Sequence, residues 1–172
     1  MDARLDFIFG RRSIRAYTAE PVAPAMVEAL LHAAMSAPSA VAKDPWRFVV
    51  VRERATLQRL TEELPNGKML AEAAVGVVVC GDLEAAHDRQ LSYLLQDCSA
   101  AIENLLLAAH VLGLGACWLG VHPRENRIRH VRTVLGLPEQ VVPVSAIAIG
   151  HPAEFKEPRS RYQAQSVHYE KW

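Results

Sequence analysis

The amino-acid sequence predicts a single domain in which helices alternate with about four buried strands, the strands forming a sheet covered on both faces. Three observations predict it. The chain has 172 residues, 51% of them hydrophobic, enough to bury about 70% of the surface its unfolded chain exposes. Short β-branched and aromatic runs alternate with stretches of helical periodicity. No repeat, low-complexity tract or Gly/Ser linker divides the chain.

A short helix is predicted over Leu5 to Gly10, with Gly10 near its C-terminal end. Pro24 suits the first turn of a second helix, where Val27, Leu30, Leu31 and Ala34 recur at helical spacing. That helix must end before Pro38, because the residue preceding proline is pushed out of the α region. Trp46 to Val51 reads as a buried strand and Ala55 to Leu64 as a helix stopped by the turn Pro65-Asn66-Gly67. Ala74 to Cys80 is a second strand. Leu91 to Leu112 carries the strongest helical pattern, and its later half is apolar nearly all round, which predicts burial on most faces or against a second subunit. Gly115 to Val121 and Val142 to Ile149 complete the strands, with a helix over Glu125 to Leu135 between them. The polar tail from His151 to Trp172 carries Tyr162, Val167, Tyr169 and Trp172, large side chains that need a surface to pack on. A partner subunit would supply one.

Nineteen basic and nineteen acidic side chains leave no net charge, which excludes a broad electrostatic footprint for nucleic acid or an anionic membrane. The three cysteines, Cys80, Cys98 and Cys117, are far apart and read as buried reduced thiols of a cytoplasmic protein. No signal-peptide core or membrane span is expected. The histidines show no metal-ligand spacing, so no metal is expected. Gly113-Leu114-Gly115 begins like a dinucleotide fingerprint, but Trp118 stands at its third glycine and a strand follows where a helix is required. Gly67-Lys68 lacks the serine or threonine and the first glycine of a phosphate loop. No G-x-S-x-G elbow is present. His110 reads as a hydrogen-bonded core histidine, and Cys117 as a packed strand cysteine.

Against this neutral background, Arg11, Arg12 and Arg15 fall within five residues, with Ser13 between them. Guanidinium forks fit phosphate or carboxylate bidentately, so the cluster points to a site for one small anion, unless it is simply a solvated helix end. Four further segments stand in order along the chain: Ala37-Pro38-Ser39-Ala40, Pro45-Trp46-Arg47-Phe48, Gly113 to Gly120, and Gly150-His151-Pro152 followed by Pro158-Arg159-Ser160-Arg161.

Together these segments resemble the FMN-dependent nitroreductase family, over Leu5 to Trp172. The resemblance implies one α+β domain spanning 1–172, with a central mixed, mostly antiparallel β-sheet flanked by helices. It also implies an intertwined homodimer in which the C-terminal extension embraces the partner, with two FMN sites at the interface. The activity implied is FMN-dependent NAD(P)H oxidoreduction by a ping-pong route, with a small-molecule acceptor such as a nitroaromatic or quinone. Arg11, Ser13 and Arg15 would contact FMN, with the cations on the phosphate or the pyrimidine edge, and Arg12 would add backbone or guanidinium contacts. Arg159 and Arg161 match the family's C-terminal basic pair for the phosphate. Pro38, Ser39 and Ala40 would reach the flavin of the other subunit, and Ala42 belongs to the same loop. Trp118, Leu119 and Gly120 form the strand end beside the flavin, with backbone N–H groups of Leu119 and Gly120 near N5 and O4. The flavin carries the chemistry, so no catalytic side chain is demanded.

The chain also departs from the family. Val41-Ala42-Lys43-Asp44 stands where Gly-Asn-x-Gln is common, so an amide contact is lost and a negative charge gained. That leaves two other readings. The same fold could use reduced FMN for dehalogenation, dehydrogenation or flavin fragmentation, or the protein could bind FMN without catalysis. Asp82 to Ser92 is the segment expected to line the acceptor pocket.

Overall fold

The computed structural model describes residues 2–172. Its helices are α1 (Asp6–Gly10), α2 (Pro24–Met35), α3 (Arg54–Thr61), α4 (Leu91–Val111) and α5 (Glu125–Leu135). Its strands are β1 (Trp46–Val51), β2 (Val75–Asp82), β3 (Gly115–Gly120) and β4 (Val141–Gly150), forming one sheet in the order β1-β2-β4-β3.

Strands buried on both faces read as continuous apolar runs, and here the alternation hidden within the runs assigns each face. Val75, Val77 and Val79 of β2, with Ile147 and Ile149 of β4, pack under α2 and α4 against Leu30, Leu94, Ile102 and Leu105. Val78, Cys80, Ala146 and Ala148 face the other way, toward Leu57 and Leu60 of α3 and Val131 of α5. The sheet is covered on both sides, as the sequence predicts.

The mixed sheet is corrected. All three strand pairings are antiparallel, and among the described residues parallel pairing occurs only at the isolated Ser13–Ala116 bridge. The cause lies in where the strands begin. The Asp82 N–H donates to the Pro45 carbonyl at 2.8 Å and the Leu83 N–H to the Gln140 carbonyl at 3.0 Å. The chain therefore enters β1 and β4 at the end where β2 leaves. The 21 residues of α4, about 31 Å long, carry it back to start β3 at the far end. Gly81 lets this layer close, since a Cβ there would lie 2.3 Å from Leu94 Cγ. Beyond β4 the tail has one 3-10 turn, Ala164–Ser166, and Tyr162, Tyr169 and Trp172 are exposed.

Candidate functional site

β3 is a sheet edge, and its pattern decides what can bind there. The Ile14 N–H donates to the Ala116 carbonyl at 3.0 Å, so Ala116 turns its backbone groups toward the open side. Backbone groups alternate along a strand, so Trp118 and Gly120 present theirs to the same side, while the Val121 N–H donates back to Val144 of β4. The first half of this edge is covered by the arginine-bearing segment and the second half is not.

That segment leaves α1 extended, with Arg11 at φ −61° and ψ 120°. Alternation in an extended chain places Arg11, Ser13 and Arg15 on one face. Ile14 faces the opposite way, so close to Gly115 that a Cβ there would meet Ile14 Cγ2 at 2.7 Å. The segment is locked from the far end of the chain. Glu154 accepts the Arg15 backbone N–H, and Lys156 Nζ donates to the Ser13 carbonyl at 2.8 Å while pairing with Glu154 at 3.0 Å. The Arg15 N–H is the main cause that holds the Glu154 carboxyl below its ordinary range, with Lys156 adding to it against slight burial. The Tyr17 hydroxyl donates to the Ile14 carbonyl at 2.7 Å, and burial pushes its phenol far above its usual range.

Two clefts result. The first, about 250 Å³, is lined by Ile8, Phe9, Arg11, Arg12, Arg159, Ser160 and Arg161. Four arginines and a serine are among its lining residues, and no acidic residue is. The Arg159 N–H ties the tail to the Phe9 carbonyl at 3.1 Å, the Arg12 guanidinium donates to the Glu157 carbonyl, and Arg11 lies 3.4 Å from Glu103. The second cleft, about 230 Å³, is lined by Arg15, Leu64, Asn66, Gly67, Cys117, Trp118, Leu119, Gly120 and Arg127. Arg127 donates to the Gly120 carbonyl at 2.8 Å. A Cβ on Gly120 would meet nothing within 4 Å, so the strand end is open. A third cleft has an apolar floor of Ile14, Leu106, Leu114 and Ala116, and His110 stands half-buried at its side against Gly10.

The residues expected from the sequence thus gather in two groups. Arg11, Arg12, Arg159 and Arg161 meet in the first cleft, Arg15, Trp118, Leu119 and Gly120 in the second, and Ser13 lies on the segment joining them. Pro38, Ser39, Ala40 and Ala42 line neither cleft of their own chain. They form a loop after α2 in which Ser39 Oγ and Asp44 Oδ1 share a hydrogen bond of 2.5 Å, and the Asp44 N–H donates back to Ser39 Oγ at 3.0 Å. Three residues of this loop have left-handed backbone: Val41 (φ 53°), Ala42 (φ 51°) and Asp44 (φ 49°). Each costs about 1–3 kcal/mol, the more so for β-branched Val41. Nor does Asp82 to Ser92 line any of the three clefts, and Asp82 is paired with Arg47 at 3.1 Å. Cys80, Cys98 and Cys117 are buried free thiols, and burial pushes the first two up to about 12. Asn66, Gly67 and Arg127 were not legible as site residues. The first two read as a turn and the third as a helix surface, and only tertiary packing brings them to Arg15.

The Nitroreductase family model matches residues 8–67 and 56–151. This chain belongs to the nitroreductase family. A relative from Archaeoglobus fulgidus, named "Putative NADH dehydrogenase/NAD(P)H nitroreductase", is 42% identical over 175 residues and is covered completely, as is this chain. A solved structure of the same name from Bacteroides thetaiotaomicron superposes with a TM-score of 0.93 at 41% identity, covering 100% of this chain and 99% of that one. Another, described as "a putative nitroreductase in complex with fmn" from Desulfovibrio desulfuricans, gives a TM-score of 0.85 at 34% identity, covering 100% and 99%. This nitroreductase-family chain therefore has relatives of its own short length. Among its described residues, no helix is long and apolar enough to cross a membrane.

Proposed function

We propose that the chain is an FMN-dependent NAD(P)H oxidoreductase working as a homodimer. In this reading hydride passes from NAD(P)H to the flavin and then, in a separate ping-pong half-reaction, to a nitroaromatic, quinone or similar acceptor. An oxidoreductase of the NAD(P)H nitroreductase and FMN reductase type is what its family makes it. The reading adds the cofactor, the assembly and the order of steps.

One observation carries the cofactor: the Arg11–Arg15 segment joins a cleft of four arginines to an open strand end. FMN asks for a dianion site at one end, donors along the ribityl chain and a donor-rich edge for its ring. The first cleft offers Arg11, Arg12, Arg159, Arg161 and Ser160 to the phosphate, and the neighbouring carboxylate, Glu103, is neutralised by its pairing with Arg11. Ser13 lies midway. Arg15 and Asn66, which line the second cleft, would supply donors to the pyrimidine edge. Of the two backbone groups expected near the ring, Gly120 turns its N–H to the open edge, whereas Leu119 turns its own toward β4.

FMN supplies two-electron, hydride-accepting chemistry when bound. The protein's part is electrostatic and positional. Arg15 favours negative charge at its end of the cleft, and the Gly120 N–H fixes an orientation without demanding a side-chain acid or base. Burial pushes the Cys117 thiol up, which disfavours a nucleophilic thiolate on the cleft wall. The exposed Tyr162, Tyr169 and Trp172 of the tail support the homodimer, since side chains of that size need a surface to cover. The Pro38–Ala42 loop, which lines none of its own chain's three clefts, supports a site completed across the interface.

Purified protein should be yellow and should bleach with NADH or NADPH under anaerobic conditions, recovering colour on addition of a quinone. Colourless protein that neither binds added FMN nor oxidises NAD(P)H would sink the proposal.

A further inference from the structure

Asp97 sits on α4 among Leu94, Cys98 and Ala101 and is only 5% exposed. Its Oδ1 accepts the Ala40 N–H at 2.9 Å, while its Oδ2 has no hydrogen-bonding partner among the described residues. A half-satisfied carboxylate inside an apolar layer is a poor device for stability, because an apolar side chain there leaves nothing unpaired. What Asp97 does hold is the backbone of the Pro38–Asp44 loop.

That loop needs holding. Val41, Ala42 and Asp44 all occupy the left-handed region without a glycine, and such a conformation persists only where the surroundings over-determine it. Ser39 and Asp44 tie the loop to itself, and Arg47 reaches the Asp44 carbonyl at 3.3 Å at its far end. Asp97 is the tie from the helical layer, and it acts on the residue just before the strained stretch.

We infer that Asp97 is a positioning residue whose buried carboxylate pins the Ala40 backbone and so presents Pro38, Ser39 and Ala40 to the FMN site of a second copy. The inference rests on the cofactor and dimer reading above. Asp97 touches neither substrate nor cofactor. It acts through one N–H group, which can be removed from either side.

The test is FMN affinity of the purified full-length protein, stripped of flavin and titrated with FMN, with the thermal midpoint measured in parallel. Asp97→Asn keeps an acceptor oxygen and stays within about threefold of wild type. Asp97→Leu removes the acceptor, and Ala40→Pro removes the donor from the other side. Ala40→Pro leaves the α4 core untouched and suits its place, because Ser39 already has the extended backbone (φ −133°, ψ 160°) that precedes proline. Both weaken FMN binding by roughly tenfold or more, and the double variant is no weaker than the worse single one. A merely structural Asp97 would instead lower the thermal midpoint and leave the affinity of folded protein unchanged, which overturns the inference. Effects that add in the double variant, or wild-type affinity in Ala40→Pro, overturn it as well. Wild-type protein that binds no FMN defeats the cofactor reading itself, so the two failures are distinguishable.

Discussion

Replacing Arg15 by alanine should weaken FMN binding by roughly tenfold, a magnitude that follows from what else stands in the second cleft. Only two cations line it, and Arg127 already donates to the Gly120 carbonyl at 2.8 Å. Among the described residues the Arg15 guanidinium makes no such bond, and its tie to Glu154, made through the backbone N–H, survives the substitution. A charge-assisted hydrogen bond contributes about 1.5–3 kcal/mol. Arg15 is exposed in the single chain, so solvent screening places it at the low end, about 1.5 kcal/mol or a factor of about 12. In the first cleft four arginines would share one phosphate, so Arg159→Ala or Arg161→Ala alone should cost less, about two- to fivefold each. Apo-protein titrated with FMN at fixed ionic strength, followed by flavin fluorescence, measures all three. Arg15→Lys, which keeps the charge but not the planar fork, should fall between wild type and alanine. Wild-type affinity in Arg15→Ala would refute the placement of Arg15 on the cofactor.

The remaining predictions concern the frame around the site. Gly81→Ala drives a Cβ to 2.3 Å from Leu94 Cγ and should cost about 1–3 kcal/mol, or about 2–12 °C in thermal midpoint. Adding Leu94→Ala should then destabilise by less than the sum of the two, and strict additivity would show that the contact is absent. Cys80, Cys98 and Cys117 should resist an aromatic disulfide reagent at pH 8 and react only when denaturant is added, because burial raises all three thiols. Prompt labelling of native protein would contradict their packing. Glu154 is held below its ordinary value of 4.5, so its contribution is complete above that pH and is lost as pH falls through the lower folded value. Glu154→Gln should therefore lose stability less steeply than wild type on acidification below about pH 4.5, and parallel acid-unfolding curves would exclude the role.

Much of the frame was legible because burial on both faces leaves a long apolar trace. The β2 run was recognisable from its valines, yet it extends through Gly81 and Asp82, whose pairing with Trp46 and Val141 no local pattern announces. The helix expected to reach Leu64 ends at Thr61, because Glu62 and Leu64 turn back to the Arg59 and Thr61 carbonyls. The antiparallel sense of the sheet lay outside local sequence, since it depends on which strand ends meet. Charged and polar site residues divided in the same way. Arginine clusters announce themselves by composition, so Arg11, Arg15, Arg159 and Arg161 could be singled out. Asn66, Gly67 and Arg127 look like an ordinary turn and helix surface until the fold sets them around one cleft. Asp97 left a faint signal, one of only two carboxylates, with Glu103, on a largely apolar helix.

The two halves of the four-arginine cleft lie almost at opposite ends of the chain, Arg11 and Arg12 near its start and Arg159 and Arg161 near its close. Synthesis proceeds from the N-terminus, so the first pair emerges long before its counterpart exists. Glu154 and Lys156, which lock the Arg11–Arg15 segment against β3, are also late arrivals. Every residue that closes the cleft from the C-terminal side follows β4, so the cleft can be completed only after all four strands have been synthesised. On the proposed reading, flavin binding would follow completion of the sheet, and a chain cut short after β4 should lose its affinity for FMN.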